Sequence, residues 1–138
     1  MTAEDAEVAG DVVAGNILVH SVAVLALFDS GASHCFISDI FVRLHSLPQR
    51  TMSSAWEIST GNGVIVTNRI CKSCPVVISG RTLEANMFII DTGGYDVILG
   101  MVWLSKHHAV IDCRSKVVEF RIPLQIEFSI IGESKADR

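Results

Sequence analysis

Short apolar runs, separated by glycine and polar turns, dominate the pattern of hydrophobic and polar positions along the chain. Such runs are typical of β-strands. The tetrapeptide TGNG at 60–63 and the dipeptides at 80–81 and 114–115 indicate hairpin turns between them. Turns at regular intervals favour a sandwich or a barrel. The predicted strands are 16–21, 23–28, 55–59, 64–70, 75–79, 82–90, 109–113, 116–122 and 126–131.

Two segments predict short helices. Ser38 is a candidate N-cap for a helix over 39–47, which ends before Pro48. A second helix over 101–108 follows Gly100 and carries cationic or polar residues in its last turn. We expect one domain over residues 11–131, with flexible segments at 1–10 and 132–138.

Apolar residues make up 49% and charged residues 19% of the 138 residues, a high apolar content for a soluble monomer. This content favours an oligomer interface. A membrane span is not predicted, because the most apolar region, 12–31, is interrupted by polar residues and no apolar run reaches ~18 residues. The net charge of −4 and the scattered lysines and arginines argue against nucleic-acid binding. The acidic first ten residues do not resemble a signal peptide, so we expect an intracellular, cytoplasmic protein.

Four cysteines are expected to be reduced thiols in that compartment. Cys71 and Cys74 form a CKSC pair, but a zinc ribbon needs a second pair, and Cys35 and Cys113 stand alone. We therefore expect no metal and no other cofactor. A metal or redox module built on CKSC is the least favoured alternative, since a strand rather than a helix is predicted to follow it.

The segment LFDSGA places Asp29 directly after the apolar run 23–28. A carboxylate at the end of a buried strand lies in a partly dry environment, where its pKa can be tuned. Ser30 can brace the loop by hydrogen bonding, Gly31 allows close backbone approach, and Ala32 leaves room for a substrate chain. On its own, however, the triplet Asp-Ser-Gly is explained more simply as a turn after a strand.

Two longer stretches change this interpretation: ALFDSGASHCFIS at 26–38 and YDVILGMVWLSKHHAVIDC at 95–113. They resemble the retropepsin-like aspartic proteases of gypsy-class LTR retrotransposons, particularly those of plants. The family pattern is an apolar strand, Asp-Ser/Thr-Gly-Ala and Ser/Thr-His-x-Phe-Ile, followed later by Asp-x-Ile-Leu-Gly-Met and Trp-Leu. The resemblance covers about residues 11–122. It implies an all-β fold, a closed retropepsin-like barrel with one or two short helices, acting as a homodimer.

The resemblance also implies roles for the matching positions, with Asp29 as the catalytic residue. Support for the active-site loop is expected from Ser30, Gly31, Ile98, Leu99 and Gly100. Contacts with substrate are expected from Ala32, Ser33, His34 and Val97, with Ile98 as a further pocket wall. A mobile flap over the substrate is expected from Ser59, Thr60, Gly61, Asn62, Gly63 and Val64.

A second triplet, Asp91-Thr92-Gly93, also follows an apolar run. The sequence after it lacks a second flap-like hairpin and a second Ile-Leu-Gly segment. We therefore interpret Asp91 as a turn residue rather than as the catalytic partner of Asp29 within one chain. His107 and His108 are interpreted as the end of the second helix rather than as metal ligands.

Peptide hydrolysis by this chemistry needs two carboxylates beside one water molecule, one ionised as the base and one protonated as the acid. A single chain supplies only Asp29, so a two-fold axis must supply the second carboxylate. The sequence thus predicts a homodimeric aspartic endopeptidase that acts on a polypeptide, by resemblance a retroelement polyprotein. The alternative is a catalytically weak or inactive module of the same fold that dimerises or binds peptide.

One position departs from the family pattern, because Val102 stands where an acidic residue usually follows Gly-Met. It lies in the first turn of the predicted helix over 101–108, where a carboxylate interacts favourably with the helix dipole. We expect Val102→Asp to raise the free energy of unfolding by about 0.5–1 kcal/mol. A lower melting temperature in the variant would contradict this.

Overall fold

The computed structural model describes residues 12–60 and 63–132, which form a mostly β fold with two short helices. The class predicted from sequence is thereby confirmed. The predicted flexible ends lie outside the described residues, apart from Gly132. The strands are Val12–Val19 (β1), Val22–Asp29 (β2), Cys35–Ser38 (β3), Arg50–Thr60 (β4), Gly63–Cys74 (β5), Val76–Ile78 (β6), Arg81–Thr82 (β7), Ala85–Ile90 (β8), Val97–Leu99 (β9), Ala109–Asp112 (β10), Val117–Phe120 (β11) and Phe128–Ile131 (β12), and the helices are Asp39–Leu44 (α1) and Met101–Lys106 (α2).

Nine strands form one sheet in the order β4-β5-β8-β3-β9-β2-β1-β6-β7, and β10, β11 and β12 form a second sheet. Strands β4 and β7 lie at opposite ends of the large sheet and are not paired with each other in the described chain. The described strands therefore do not form the closed barrel that the resemblance implied. Strands of a barrel face its interior with alternate residues, whereas in β4 only Ile58 is buried, so this strand projects from the core instead of closing around it.

The first hairpin is longer than the hydrophobic pattern predicted. Strand β1 begins at Val12 rather than at Asn16, because its pairing with β2 continues past Gly15 as far as Asp29. The turn residues His20 and Ser21 both have positive φ, 48° and 64°. Two such residues in sequence suit the tight turns that match the twist of a hairpin.

Other differences from the predicted strands arise at short or irregular segments. Strands β3 and β9 were not predicted as strands. The predicted strand over 82–90 is divided into β7 and β8, and between them the N–H of Leu83 donates to the carbonyl of Val76 at 2.7 Å. Strand β5 continues through a register shift between Cys71 and Cys74, where Ser73 has a φ of 50°.

Both predicted helices exist but are shorter than expected. The hydroxyl of Ser38 accepts the N–H of Phe41 at 3.2 Å, which confirms it as the N-cap of α1. Helix α2 buries Trp103, whose ring lies 6.3 Å from that of Phe28 and 5.8 Å from that of Phe120. These contacts place α2 between the large sheet and the small one.

Strand β9 lies between β2 and β3, parallel to the first and antiparallel to the second. Asp96 fixes its start, because its carboxylate accepts the N–H of Leu25 at 2.9 Å and its own N–H donates to the carbonyl of Leu25 at 3.1 Å. On the other side, the N–H of Ser38 donates to the carbonyl of Asp96 at 2.8 Å. The residue before β9 is thereby held between the middle of β2 and the end of β3.

Candidate active site

Asp29 is the last residue of β2, which lies inside the sheet between β1 and β9. Phe28 before it is fully buried, whereas Asp29 is half-buried. The chain then turns sharply. The N–H of Gly31 donates to Asp29 Oδ1 at 2.8 Å, and the N–H of Ala32 donates to the carbonyl of Asp29 at 3.2 Å. These bonds fix the carboxylate at the end of the strand.

Burial raises the pKa of Asp29 above its ordinary value of 3.8, and backbone hydrogen bonds from Gly31 and Ala32 oppose the increase. The ionised carboxylate is thus less favourable in the folded chain than in the unfolded one. The free energy of unfolding therefore falls as the pH rises from 3.8 through the higher pKa of the folded chain. A carboxyl group that keeps its proton to higher pH can act as a general acid.

The start of α2 supports the loop that follows Asp29. The N–H of Met101 donates to the carbonyl of Ala32 at 2.7 Å, and the N–H of Val102 donates to the carbonyl of Ser33 at 3.1 Å. The N–H groups in the first turn of a helix have no acceptor within that helix. The loop carbonyls accept hydrogen bonds from these N–H groups, and the same bonds hold the loop in place. The resemblance predicted that residues 98–100, just before α2, support this loop. Gly100 lies so close to the loop that a Cβ at this position would be 2.6 Å from Ala32 O.

A cavity of about 600 Å³ lies in front of Asp29, between its loop and the hairpin formed by β4 and β5. Cavities of this volume hold small ligands or side chains of a peptide. The sequence-predicted residues that line it are Asp29, Gly31, Ala32, Ser33, Ser59, Thr60 and Ile98. The lining residues that sequence reasoning missed are Phe36, Ile65, Ile90, Asp91, Thr92 and Gly93.

Two residues predicted to contact substrate lie elsewhere. Val97 has no exposed surface and packs in the core, because Val97 and Leu99 face one side of β9 while Ile98 faces the other. His34 does not line the cavity of Asp29. Its ring lies 5.6 Å from that of Phe88 in an edge-to-face arrangement and lines a separate recess.

The hairpin of β4 and β5 occupies the position predicted for the flap. Ser59 and Thr60 line the cavity, and the hydroxyl of Thr60 donates to the carbonyl of Gly63 at 2.8 Å across the hairpin. Gly63 has a φ of +116°, which strongly favours glycine. Val64 is exposed and lies outside the cavity lining. The predicted tip residues 61 and 62 lie outside the described residues.

The second triplet is part of the same cavity, which sequence reasoning did not anticipate. Asp91 follows β8, and its Oδ1 accepts the N–H of Gly93 at 3.0 Å, the same local bond that joins Asp29 and Gly31. Asp91 is nevertheless exposed, and the hydroxyl of Thr92 donates to the backbone carbonyl of Tyr95. The two aspartates thus share a turn geometry but differ in burial.

The structure also refines the expectation for Val102→Asp. Val102 is 59% exposed, but its N–H is bonded to Ser33, and the next two amides of α2 donate to the carbonyl of Gly100. A carboxylate at 102 would therefore act through the helix dipole and through Lys106, four residues on, rather than by capping amides. Thermal denaturation should accordingly show a stabilisation that shrinks at high salt.

The remaining sequence motifs form no metal centre in the described chain. Over residues 12–60 and 63–132, no group of three or more His, Cys, Asp or Glu side chains is placed to hold a metal ion. Cys71 and Cys74 are free thiols in the main core. No helix in these same segments is both long enough and apolar enough to span a membrane.

Comparison with known proteins agrees with this geometry. The model of the retroviral aspartyl protease family matches residues 1–123. The crystal structure of the retroviral protease-like domain of Ddi1 from Leishmania major is similar in fold, with a TM-score of 0.66 and 18% sequence identity over 92% of this chain and 98% of that one. Because the family match spans most of the sequence, the chain belongs to the retroviral aspartyl protease family.

Proposed function

We propose that this protein is an aspartic endopeptidase in which two Asp29 carboxylates, one from each of two identical chains, activate a water molecule. One observation carries the proposal. The half-buried carboxylate of Asp29, with its raised pKa, faces a cavity of about 600 Å³ beneath a hairpin, on a loop held by the amides of α2.

The reaction needs the two carboxyl groups in different protonation states. Aspartic proteases in general share one proton between two adjacent carboxyls, because both do not ionise readily at close range. The ionised Asp29 would accept a proton from water as its oxygen attacks the scissile carbonyl carbon, while the protonated Asp29 would donate to the carbonyl oxygen. Proton transfer to the leaving nitrogen then breaks the C–N bond and gives an acid and an amine.

The other residues around the cavity would orient the reactants. The bond from Gly31 N–H holds one oxygen of Asp29, so the other oxygen stays available for water. A substrate in extended conformation would lie between the loop and the hairpin, where Ser59 and Thr60 contact it from above. Closure of the hairpin would exclude bulk water and strengthen the electrostatic interactions at Asp29.

The second carboxylate is assigned to a symmetric copy because Asp91 is poorly suited to the role. Asp91 lines the cavity, but it is exposed and tied to its own turn with Gly93. It therefore lacks the partial burial of Asp29. A homodimer would also cover part of the apolar surface that the composition predicts.

The proposed substrate class is the polyprotein of a retroelement. The support is the match between 26–38 and 95–113 and the motifs of gypsy-class elements. A second candidate function is peptide binding without hydrolysis. The apolar cavity walls formed by Phe36, Ile65, Ile90 and Ile98 favour it, since they would hold an extended peptide whether or not water is activated.

Dilution tests the shared site. Hydrolysis of a peptide library per mole of protein should fall as the protein is diluted, because a site built from two chains is lost when they separate. Molar mass, measured by sedimentation over the same concentrations, should fall towards 15.0 kDa in parallel. Full activity at the mass of one chain would contradict the shared site. Peptide binding without cleavage at every concentration would favour the second candidate.

A further inference from the structure

An irregularity in strand β5 brings two cysteines to neighbouring positions of the large sheet. Cys71 pairs with Met87 of β8, and Cys74 pairs with Ala85. The cysteines are three residues apart in sequence, whereas their partners are only two apart. This is the pattern of a β-bulge, in which one strand of an antiparallel pair contains one extra residue.

The bulge turns both thiols to the same face of the sheet. In a regular strand, residues three apart point to opposite faces, whereas residues two apart share one face. Because Met87 and Ala85 are two apart, their partners Cys71 and Cys74 face the same side, and all four residues belong to the main core. Two steps along a strand separate Cα atoms by roughly 6.4–6.8 Å, which is the upper end of the range that a disulfide spans, about 4.4–6.8 Å.

The two thiols also contact each other. The thiol of Cys74 hydrogen-bonds to the sulfur of Cys71, and the thiol of Cys71 donates to the carbonyl of Pro48 at 3.3 Å. The bond from Cys74 lowers the pKa of Cys71 below its ordinary value of 9.0, burial opposes this decrease, and the charge of Arg69 adds to it. The same hydrogen bond, together with burial, raises the pKa of Cys74. Cys71 is therefore the better nucleophile of the pair.

An oxidant reaches these thiols only when the bulge opens, since Cys71 is 1% exposed and Cys74 is 0% exposed. Lys72 and Ser73, which lie between them, are exposed. Ser73 has a φ of 50°, and its N–H donates to the side-chain oxygen of Asn86 at 2.8 Å. A bulge disrupts the ladder of backbone hydrogen bonds, so this part of β5 can open locally with fewer of them to break.

We propose that Cys71 and Cys74 are a redox-sensitive modification site, at which hydrogen peroxide converts the two thiols into one disulfide within the chain. The sulfur of Cys71 attacks one peroxide oxygen, the O–O bond breaks, and hydroxide leaves with the proton of Cys71 as water. The sulfur of Cys74 then attacks the sulfur of the sulfenic acid, so that the S–S bond forms and the S–O bond breaks. The proton of Cys74 leaves with this oxygen as the second water molecule. Two thiols are thus oxidised while one peroxide is reduced.

The disulfide would restrain the base of the hairpin formed by β4 and β5, because it ties the two ends of the bulge together. From the bulge, β5 runs back past Arg69, whose Nη1 lies 2.6 Å from Oδ1 of Asp39 in α1, to Ile65 in the wall of the cavity of Asp29. A dithiol reverses the reaction by exchange and restores both thiols. The site does not depend on the proposed function, since no step involves peptide hydrolysis.

Treatment of the reduced, unsubstituted chain with hydrogen peroxide tests the pair. Samples are quenched with an alkylating reagent in denaturant and mapped by peptide mass spectrometry. We expect a disulfide between Cys71 and Cys74 of one chain, formed about tenfold faster than Cys35 is modified, since burial raises the pKa of Cys35 to about 11. Dithiothreitol should restore both thiols. Sulfinic acid at Cys71 without the disulfide, disulfides only between chains, or modification of Cys35 at an equal rate would overturn the pair.

Hydrogen–deuterium exchange tests the restraint of the hairpin. The amides of residues 70–74 should exchange about tenfold more slowly in the oxidised chain than in the reduced one. Cys35→Ser is the matched control for Cys71→Ser, since each replaces one buried thiol of the main core. Peroxide should slow exchange in Cys35→Ser and leave it unchanged in Cys71→Ser. Unchanged exchange in an unsubstituted chain with a mapped disulfide would refute the restraint, whether or not the two variants fold.

Discussion

Replacing Asp29 with Asn is expected to lower peptide hydrolysis by roughly a thousandfold or more, because the variant loses both the base and the acid of the proposed site. In a homodimer each site would lose two carboxylates through one substitution. Asn keeps an oxygen that can accept the N–H of Gly31, so the loop geometry should survive. Initial rates against one cleavable peptide, measured at the same dimer concentration, give the comparison.

Asp91→Asn is the control for this experiment, since Asp91 lines the same cavity and makes the same bond to the amide two residues on. We expect little change in rate. A loss as large as that of Asp29→Asn would instead indicate a catalytic pair within one chain.

Asp29→Asn should also be at least as stable as the unsubstituted protein at neutral pH, because it removes a carboxylate whose ionised form is disfavoured by burial.

The comparison of Asp29 and Asp91 shows what the local sequence can predict. Both triplets end an apolar run, and both form the same turn, so the turn geometry is a property of Asp-Ser/Thr-Gly itself. The difference in burial depends on neighbours distant in sequence. Asp29 is half-buried because β2 lies inside the sheet beside β9, which comes some 70 residues later along the chain. The longer motifs around Asp29, and not the triplet, carry the prediction that Asp29 is the catalytic one of the two.

The predictions that failed concern features without a local signal. Val97 and Ile98 are adjacent and both apolar, and β9 is too short to show the alternation that sends one to the core and the other to the cavity. Closure of a sheet depends on which edge strands meet, and the periodicity within β4 does not contain that information. His34 lies outside the cavity of Asp29 for a similar reason, because it is one step along the loop from Ser33, which lines that cavity.

Gly100→Ala should damage stability and activity together, because this residue lies where α2 meets the active-site loop. Its φ of −98° and ψ of −172° are accessible to alanine, so the expected effect is steric and not conformational. The added Cβ would lie 2.6 Å from Ala32 O and still closer to His34 O, and both are backbone atoms. We expect the free energy of unfolding to fall by about 1–3 kcal/mol. Displacement of the loop that carries Asp29 should lower the rate by about a hundredfold.

Gly15→Ala provides the matched control, with the same added methyl group in β1. There the Cβ would meet the end of the Ile130 side chain at 3.2 Å, an atom that can move aside, instead of a fixed carbonyl. Urea denaturation and peptide hydrolysis, measured on the same preparations, should show a small change for Gly15→Ala and a large one for Gly100→Ala. If Gly100→Ala kept full activity, the support of Asp29 by the start of α2 would be refuted, because the loop could then tolerate a displaced helix.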